Sequence, residues 1–350
     1  MQPFLRWAGG KRKLADLISS CIPQRVTDNP NSHFYESFVG GGAVMLHLGE
    51  SENSRYIPGS RLHINDMNPD LVMAYLAIQN QVVELMDLLD VLSKDLSKEA
   101  YLRIRSDVPK SDLERAARFI YLNKTGFNGL WRVNSKGLYN VPWGQLNSPK
   151  LYVQETLMAV SERLQGAEIT HTDYKNALQT VKRDDFVYLD PPYIPLNASS
   201  SFSKYAKDDF SLENQKELSK QIFELSNRSA AVILSNSDTP ETREIFGEHL
   251  HLFQIDAARA ISAKASSRGS VKEIIAVNFE LDLSNELLKS KLVRVSLFSS
   301  TFKSWDSKIS QITFLAINTN KFSFVPHRCY ACCCASGKRV KYQIARISAC

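Results

Sequence analysis

Apolar and polar positions alternate in two periods along the first 280 residues, and the two periods take turns. Residues 34–39 (Phe-Tyr-Glu-Ser-Phe-Val) read as a buried strand, followed by Gly40-Gly41-Gly42 and a helical run from Ala43 to Leu48. Alternating apolar positions predict a second strand at 61–66. Apolar residues then recur at helical spacing from Pro69 to about Leu92, which predicts one long helix. Leu113, Ala116, Ala117, Ile120 and Tyr121 share one face of a helix over 111–124.

The character changes at 125–149, where Gly, Asn, Pro and aromatic residues suit a hairpin-bearing segment without a large core of its own. The core pattern returns with a helix at 151–165, a strand ending near Asp173 and a buried strand at 185–189. Residues 194–210 are polar and read as a mobile loop. A helix at 212–227, a strand at 230–235, a helix at 240–248 and strands near 250–256 and 273–280 follow. Strands alternating with helices predict an α/β fold with a doubly wound, mostly parallel sheet. No internal repeat is visible.

Composition narrows the class. With 350 residues and 43% hydrophobic content, the chain can bury a sizeable core. It has no run of about 18 apolar residues, so no membrane span is expected, and no apolar leader opens it. A cytoplasmic protein with no membrane partner is the expectation. Five of the six cysteines (Cys329, Cys332, Cys333, Cys334 and Cys350) fall in the last 22 residues, so the body is not built on disulfides. The formal charge of +6 is misleading, because residues 283–350 hold eleven Lys or Arg against two acids. The remainder is slightly acidic. Within it, residues 101–150 carry nine basic groups against three acidic ones. Such a patch can hold phosphates, although a solvated helix face would look the same.

Three local patterns carry chemistry. The first is the glycine turn Phe38-Val-Gly40-Gly41-Gly42-Ala43 between a strand and a helix, which lets a cofactor approach the backbone. Asp66 follows Gly42 by 24 residues, near the interval at which an acid reaches ribose hydroxyls in such folds. Alone, the turn could be purely structural. The second is Asp190-Pro191-Pro192-Tyr193, placed directly after an apolar strand. Two prolines force the chain out at the sheet's carboxyl edge, where ligands bind. A carboxylate, a carbonyl and an aromatic ring are thereby fixed side by side. Two such acceptors can localise the lone pair of a conjugated amino group such as that of adenine and aim it at a methyl donor. In duplex DNA that amino group is reachable only if the base is flipped out, with Tyr193 as the stacking platform. The third is Pro3-Phe-Leu-Arg6-Trp7-Ala-Gly-Gly-Lys11, which can supply a packing surface and a cation.

In order, Trp-Ala-Gly-Gly-Lys, Phe-Val-Gly-Gly-Gly, Asn-Asp-Met-Asn-Pro, Phe-Asn-Gly-Leu-Trp-Arg-Val-Asn and Leu-Asp-Pro-Pro-Tyr occur within residues 1–280. This set resembles the Dam-type, D12-class adenine-N6 DNA methyltransferases, and also the Dpn-type modification enzymes that recognise GATC. The resemblance implies S-adenosylmethionine as methyl donor, with Trp7, Lys11, Phe38, Gly40, Gly42, Asp66, Asp173 and Asp190 as cofactor contacts. It implies Asp190, Pro191 and Tyr193 as the catalytic turn. It also implies Arg6, Lys124, Phe127, Asn128, Arg132 and Asn134 as contacts to double-stranded DNA. Arginine suits guanine O6 and N7, and asparagine suits adenine. The segment from Ser266 to Glu273 resembles the family's closing segment, a further place of DNA contact.

Two departures are small: Ser37 stands where proline is common, and Arg6 where the Dam branch often has lysine. Residues 283–350 are the large departure. They are expected to be a poorly ordered extension. The cysteine spacing there does not fit a structural zinc site, so no metal is expected. The implied organisation is a catalytic domain from 1–69 and 150–282 with a target-recognition insert at 70–149. The implied enzyme is a bacterial or phage-encoded monomer, with a cognate restriction endonuclease as a genetic partner only. Methylation of RNA adenine or a protein amide, and a DNA-binding relative without turnover, are the alternatives.

Overall fold

The computed structural model describes residues 1–295 apart from 8, 51–55, 146–148, 196–209 and 259–269. Among the described residues, eight strands form one sheet: β1 (Phe34–Glu36), β2 (Leu62–Asn65), β3 (Glu168–Thr170), β4 (Phe186–Leu189), β5 (Ala231–Ser237), β6 (His251–Ala258), β7 (Ser270–Val277) and β8 (Val293–Arg294). Their spatial order is β3-β2-β1-β4-β5-β7-β6-β8. The five strands from β3 to β5 run parallel, with Phe34 beside both Leu62 and Phe186. The last three pairings are antiparallel. The sheet is therefore mixed and mostly parallel, as the alternation of elements predicts.

Strand order reverses at β1 and β4. The chain steps outward from β1 through β2 to β3, then returns to β4 on the other side and steps outward to β5. A crevice opens at the carboxyl ends of two strands whose connections leave in opposite directions. The glycine turn follows β1 and Asp190 follows β4, so both of the strongest sequence signals meet there.

Side-chain alternation on the central strands feeds two cores. Phe186 and Tyr188 of β4 face one cluster with Phe34, Ile64, Tyr75 and Phe119, while Val187 and Leu189 face another with Leu218, Ile222 and Leu234. Such two-sided burial is what a parallel sheet requires. The first cluster is covered by α1 (Ala15–Ser20), α2 (Gln24–Thr27), α3 (Ala43–His47), α4 (Pro69–Asn80), α5 (Val82–Ser93), α6 (Lys98–Ser106), α7 (Asp112–Thr125) and α8 (Gln154–Leu164). The second is covered by α9 (Tyr174–Ala177), α10 (Leu212–Asn227) and α11 (Pro240–Gly247). Capping marks several starts: Asn68 accepts from the Asp70 and Leu71 amides ahead of Pro69, and Ser211 with Asn214 forms a capping box.

Two expectations need correction. The helix expected over 69–92 is two helices, α4 and α5, parted at Gln81 (φ −144°, ψ 42°). The buried positions Leu71, Ile78 and Leu85 stay in phase across the break, so periodicity could not reveal it. Helix α4 packs most extensively on α7, within the expected insert, and also on α8 and β3, with Tyr75 in the main core. Finally, the extension after 282 begins as ordered structure. Helix α12 (Glu286–Lys291) packs on α1 with Leu288 and Leu292 buried, and β8 extends the sheet beyond β6. Two leucines at that spacing give this stretch an apolar face to bury. Residues 296–350, including the cysteine cluster, lie outside the described residues, as does nearly all of the expected loop at 194–210 and the Ser266–Gly269 part of the closing segment. No helix among the described residues is long and apolar enough to cross a membrane.

Candidate active site and DNA-facing surface

The crevice is a cavity of about 850 Å³. Trp7, Lys11, Phe38, Gly40, Gly42, Asp66, Asp173, Asp190, Pro191 and Tyr193 all line it. Every residue expected at the cofactor or the reaction is thus gathered in one place, from five separate segments of the chain.

The glycine turn forms one wall. Gly40 and Gly42 adopt φ of +47° and +65°, a region that disfavours side chains. A Cβ on Gly40 would lie 2.5 Å from the Trp7 indole nitrogen, and one on Gly42 would lie 2.6 Å from the Tyr75 hydroxyl. The turn is tied down from both sides: the Tyr75 hydroxyl donates to the Gly40 carbonyl (2.9 Å), and the Gly40 amide donates to Asp66 Oδ2 (3.0 Å). Asp66 also accepts from the Asn68 amide (2.9 Å). Burial nevertheless pushes its carboxyl above the usual aspartate range, against the pull of these amides. At another wall Phe38, Tyr174 and Phe210 pack ring to ring, with centroids 5.4–5.9 Å apart. Asp173 caps α9 beside them. The Tyr174 hydroxyl is buried without a hydrogen-bond partner among the described residues.

Lys11 organises the opposite side. Its ammonium lies 2.9 Å from Asp190 Oδ1, donates to the Gly9 carbonyl (2.8 Å) and sits 4.6 Å from the Tyr193 ring centroid. The pairing with Asp190 is close but lacks a well-directed hydrogen bond. Burial raises the Asp190 carboxyl, and Lys11 opposes the rise. The turn itself is held by α10 and β5. Gln215 donates to the Pro192 carbonyl (2.8 Å), and the Ile194 amide donates to Asn236 Oδ1 (3.1 Å). No protein group among the described residues donates to the Pro191 carbonyl. An aspartate and a carbonyl with acceptor capacity to spare therefore stand side by side at the mouth of β4.

Charge bears on what the cavity can hold. Glu36, Asp66, Asp173 and Asp190 line it against Lys11 and Lys175. Burial pushes Glu36 well above its usual range, with Asp190 adding to the effect. Even with Glu36 held toward its neutral form, the three aspartates outnumber the two lysines, which suits a cationic ligand. The aromatic wall with its unpartnered hydroxyl suits a planar heterocycle. S-adenosylmethionine, a sulfonium bearing an adenosine, fits both.

The DNA-contact candidates lie outside this cavity. The Arg6 amide donates to Asn123 Oδ1 (2.9 Å), and Asn123 Nδ2 donates to the carbonyls of Arg6 and Gly129 (2.7 and 3.1 Å). This fully buried asparagine fastens the N-terminal segment, which carries Trp7 into the cavity, to the start of the hairpin. Phe127 and Asn128 are exposed in the short turn that follows, Asn128 with φ of 55°. Antiparallel bridges pair Gly126 with Trp143 and Val133 with Tyr139, so the segment is a hairpin as expected. Arg132 is exposed and donates to Asn140 (2.6 Å to Oδ1). Asn134 Oδ1 accepts from the Lys136 and Leu138 amides and shapes the hairpin tip.

Lys124 is half-buried beside Arg6, and burial brings its ammonium down to about 8, with Arg6 contributing. Binding a phosphate there would favour the charged form. DNA affinity is therefore expected to fall as pH rises through about 8. The Lys124→Arg variant should lose that dependence in a binding titration between about pH 7 and 9, because arginine stays charged there. An unchanged pH profile in Lys124→Arg would contradict this.

Sequence reasoning missed Glu36, Asn123, Gln215, Asn236 and Tyr174. Glu36 alone left a signal, as a carboxylate inside an apolar strand directly before the glycine turn. The others are polar or aromatic residues on helices and strands whose importance lies in partners far along the chain.

Comparison with known proteins shows the family. A family model for the D12 class N6 adenine-specific DNA methyltransferases matches residues 7–261. The chain is 37% identical over 287 residues to the type II methyltransferase M1.LlaDCHI of Lactococcus lactis subsp. cremoris, covering 80% of this chain and 96% of the relative. It is 34% identical over 292 residues to the type II methyltransferase M.MjaIII of Methanocaldococcus jannaschii, covering 80% and 99%. It is 33% identical over 278 residues to the DNA adenine methylase of Escherichia coli (strain K12), covering 78% and 94%. The chain belongs to the D12 class of N6 adenine-specific DNA methyltransferases, enzymes that transfer a methyl group to adenine in DNA.

Proposed function

We propose that this enzyme methylates adenine within GATC in duplex DNA, and that the base is flipped into the crevice between the Asp190–Tyr193 turn and the glycine turn. The observation that carries the site assignment is the pair of available acceptors, the Asp190 carboxylate and the Pro191 carbonyl, at the cavity beside β4. GATC rests on the resemblance to Dam-type and Dpn-type enzymes.

When bound, S-adenosylmethionine supplies a methyl carbon made electrophilic by its sulfonium. We assign its adenosine to the wall of Phe38, Asp66 and Asp173, and its methionine part to the region of Trp7, Lys11, Gly40 and Gly42. Asp190 and the Pro191 carbonyl accept the two hydrogens of the target amino group. That turns the nitrogen lone pair out of conjugation and toward the methyl carbon. The amino nitrogen gains positive charge as its bond to the methyl carbon forms and the sulfur–methyl bond breaks, its electron pair leaving on a neutral thioether, and Asp190 stabilises that charge. Burial makes Asp190 more basic than an ordinary aspartate, which suits it to take the departing proton. The Tyr193 ring supports the flipped base.

Target recognition is assigned to the hairpin and to the helices that carry it, within 70–149. Arg6, Lys124, Phe127, Asn128, Arg132 and Asn134 form its DNA face. One chain supplies both cavity and hairpin, so a monomer suffices. Two relatives are type II methyltransferases by name, which supports a role as the modification arm of a restriction system, and the neighbouring genes test that directly. For the sequence claim, the protein is incubated with labelled S-adenosylmethionine and plasmids containing or lacking GATC. Label is expected only in the first, and equal labelling of both would remove GATC as the target.

A further inference from the structure

We propose that Glu273 is a positioning residue for methyl transfer: its carboxylate anchors the Tyr193 hydroxyl and so sets the plane of the ring against which the target base lies. The proposal rests on the assignment of the Asp190–Tyr193 turn to the flipped adenine.

The topology places Glu273 there. β7 runs antiparallel to β5, with Glu273 opposite Ser237 at the carboxyl end of β5. The start of β7 therefore reaches the same sheet edge as the end of β4, where the Asp190–Tyr193 turn emerges. At that edge the Tyr193 hydroxyl donates to Glu273 Oε2 at 3.1 Å. Glu273 is not among the residues that line the cavity, and its contact with the catalytic turn is the bond from the Tyr193 hydroxyl, with the Lys11 ammonium also within its electrostatic reach.

The ring is pinned at two points. The Lys11 ammonium stands 4.6 Å from its centroid and occupies one face. Glu273 fixes the far end of the ring at the hydroxyl. We place the base against the other face, in an orientation set before DNA binds. Lys11 also holds Asp190 at 2.9 Å, so platform and acceptor share one cation. Without the Glu273 bond the ring can turn about its side-chain torsions, and the base it supports loses its aim at the methyl carbon. Small misplacements of reacting atoms reduce turnover steeply.

The test uses the full chain with duplex DNA carrying 2-aminopurine at the target position, alongside steady-state kinetics. Glu273→Ala and Tyr193→Phe are each expected to lower kcat about 10- to 100-fold, with KM for S-adenosylmethionine changed less than about twofold. The flipped-base fluorescence should change in both. The double variant should be no worse than either single one, because both remove the same bond. Glu273→Gln keeps an acceptor and should recover kcat to within about threefold. Wild-type kcat and fluorescence in Glu273→Ala, additive losses in the double variant, or Glu273→Gln as damaged as Glu273→Ala would each overturn the proposal. Should Glu273→Ala fail to fold, Tyr193→Phe removes the bond from the other side, and wild-type kcat there overturns it equally. Tyr193→Ala separates the two layers. Full activity in that variant overturns the assignment of the turn itself. Loss there with full activity in Glu273→Ala overturns only the role of Glu273.

Discussion

Replacing Asp190 with alanine is expected to lower kcat by about 10²- to 10³-fold or more, the loss seen when a group stabilising transition-state charge is removed. The fold should survive. The carboxyl sits partly buried with its ionisation disfavoured by its surroundings. An acid whose folded pKa lies above its unfolded value weakens the fold at neutral pH, which offsets part of the cost of leaving Lys11 without its partner, so a smaller loss of thermal stability than in Lys11→Met is expected. Calorimetry and single-turnover rates on the same preparation check both parts. The pH profile follows from the same physics. Activity needs the ionised carboxylate, so the acid limb of kcat/KM should fall at a pH above the ordinary aspartate range. Wild-type turnover in Asp190→Ala would refute the role.

Lys11→Met is expected to cost more stability. The ammonium is 6% exposed and stands against Asp190, with Glu36 and Glu273 also within its electrostatic reach. Removing it leaves buried carboxylates without their cation, and breaking such a pair costs about 3–5 kcal/mol. Turnover should fall as well, because Asp190 and Tyr193 both lose the group that spaces them. The diagnostic sign is the pH profile. Lys11 holds the Asp190 carboxyl down, so in Lys11→Met the acid limb should move to still higher pH. Denaturant unfolding and a pH–rate series measure the two effects. A variant as stable as wild type with an unmoved acid limb would contradict this account of the site.

The contrast between these two residues shows what the sequence makes legible. Asp190 announced itself because two prolines cannot continue a strand and must turn out at its end. The glycine turn was legible for a similar reason, since Gly40 and Gly42 occupy backbone conformations that side chains resist. That both emerge at the carboxyl edge of one sheet follows from alternating elements, whereas their adjacency at the β1–β4 reversal is seen only in the strand order. The pairing of Lys11 with Asp190 did not follow, because 179 positions separate them. The same holds for Asn123, whose contacts fasten Arg6 to the hairpin, and for Gln215 and Asn236, which hold the catalytic turn. Polar residues that act through distant partners leave no period and no local motif. The break at Gln81 was hidden for the converse reason: the apolar period runs through it unchanged. The extension misled through its composition, since Leu288 and Leu292 were enough to dock its first helix.

Asp190 and the Pro191 carbonyl are proposed to prepare the amino nitrogen of adenine for direct attack on the methyl carbon, and following the site of methylation over time tests that step. A short GATC duplex is incubated with the enzyme and S-adenosylmethionine, quenched at intervals, digested to nucleosides and separated by mass and retention. N6-methyldeoxyadenosine is the expected product from the first time point, with none from a duplex whose target purine lacks the 6-amino group. Early N1-methyldeoxyadenosine that later converts, or methyl groups on cytosine, would contradict it.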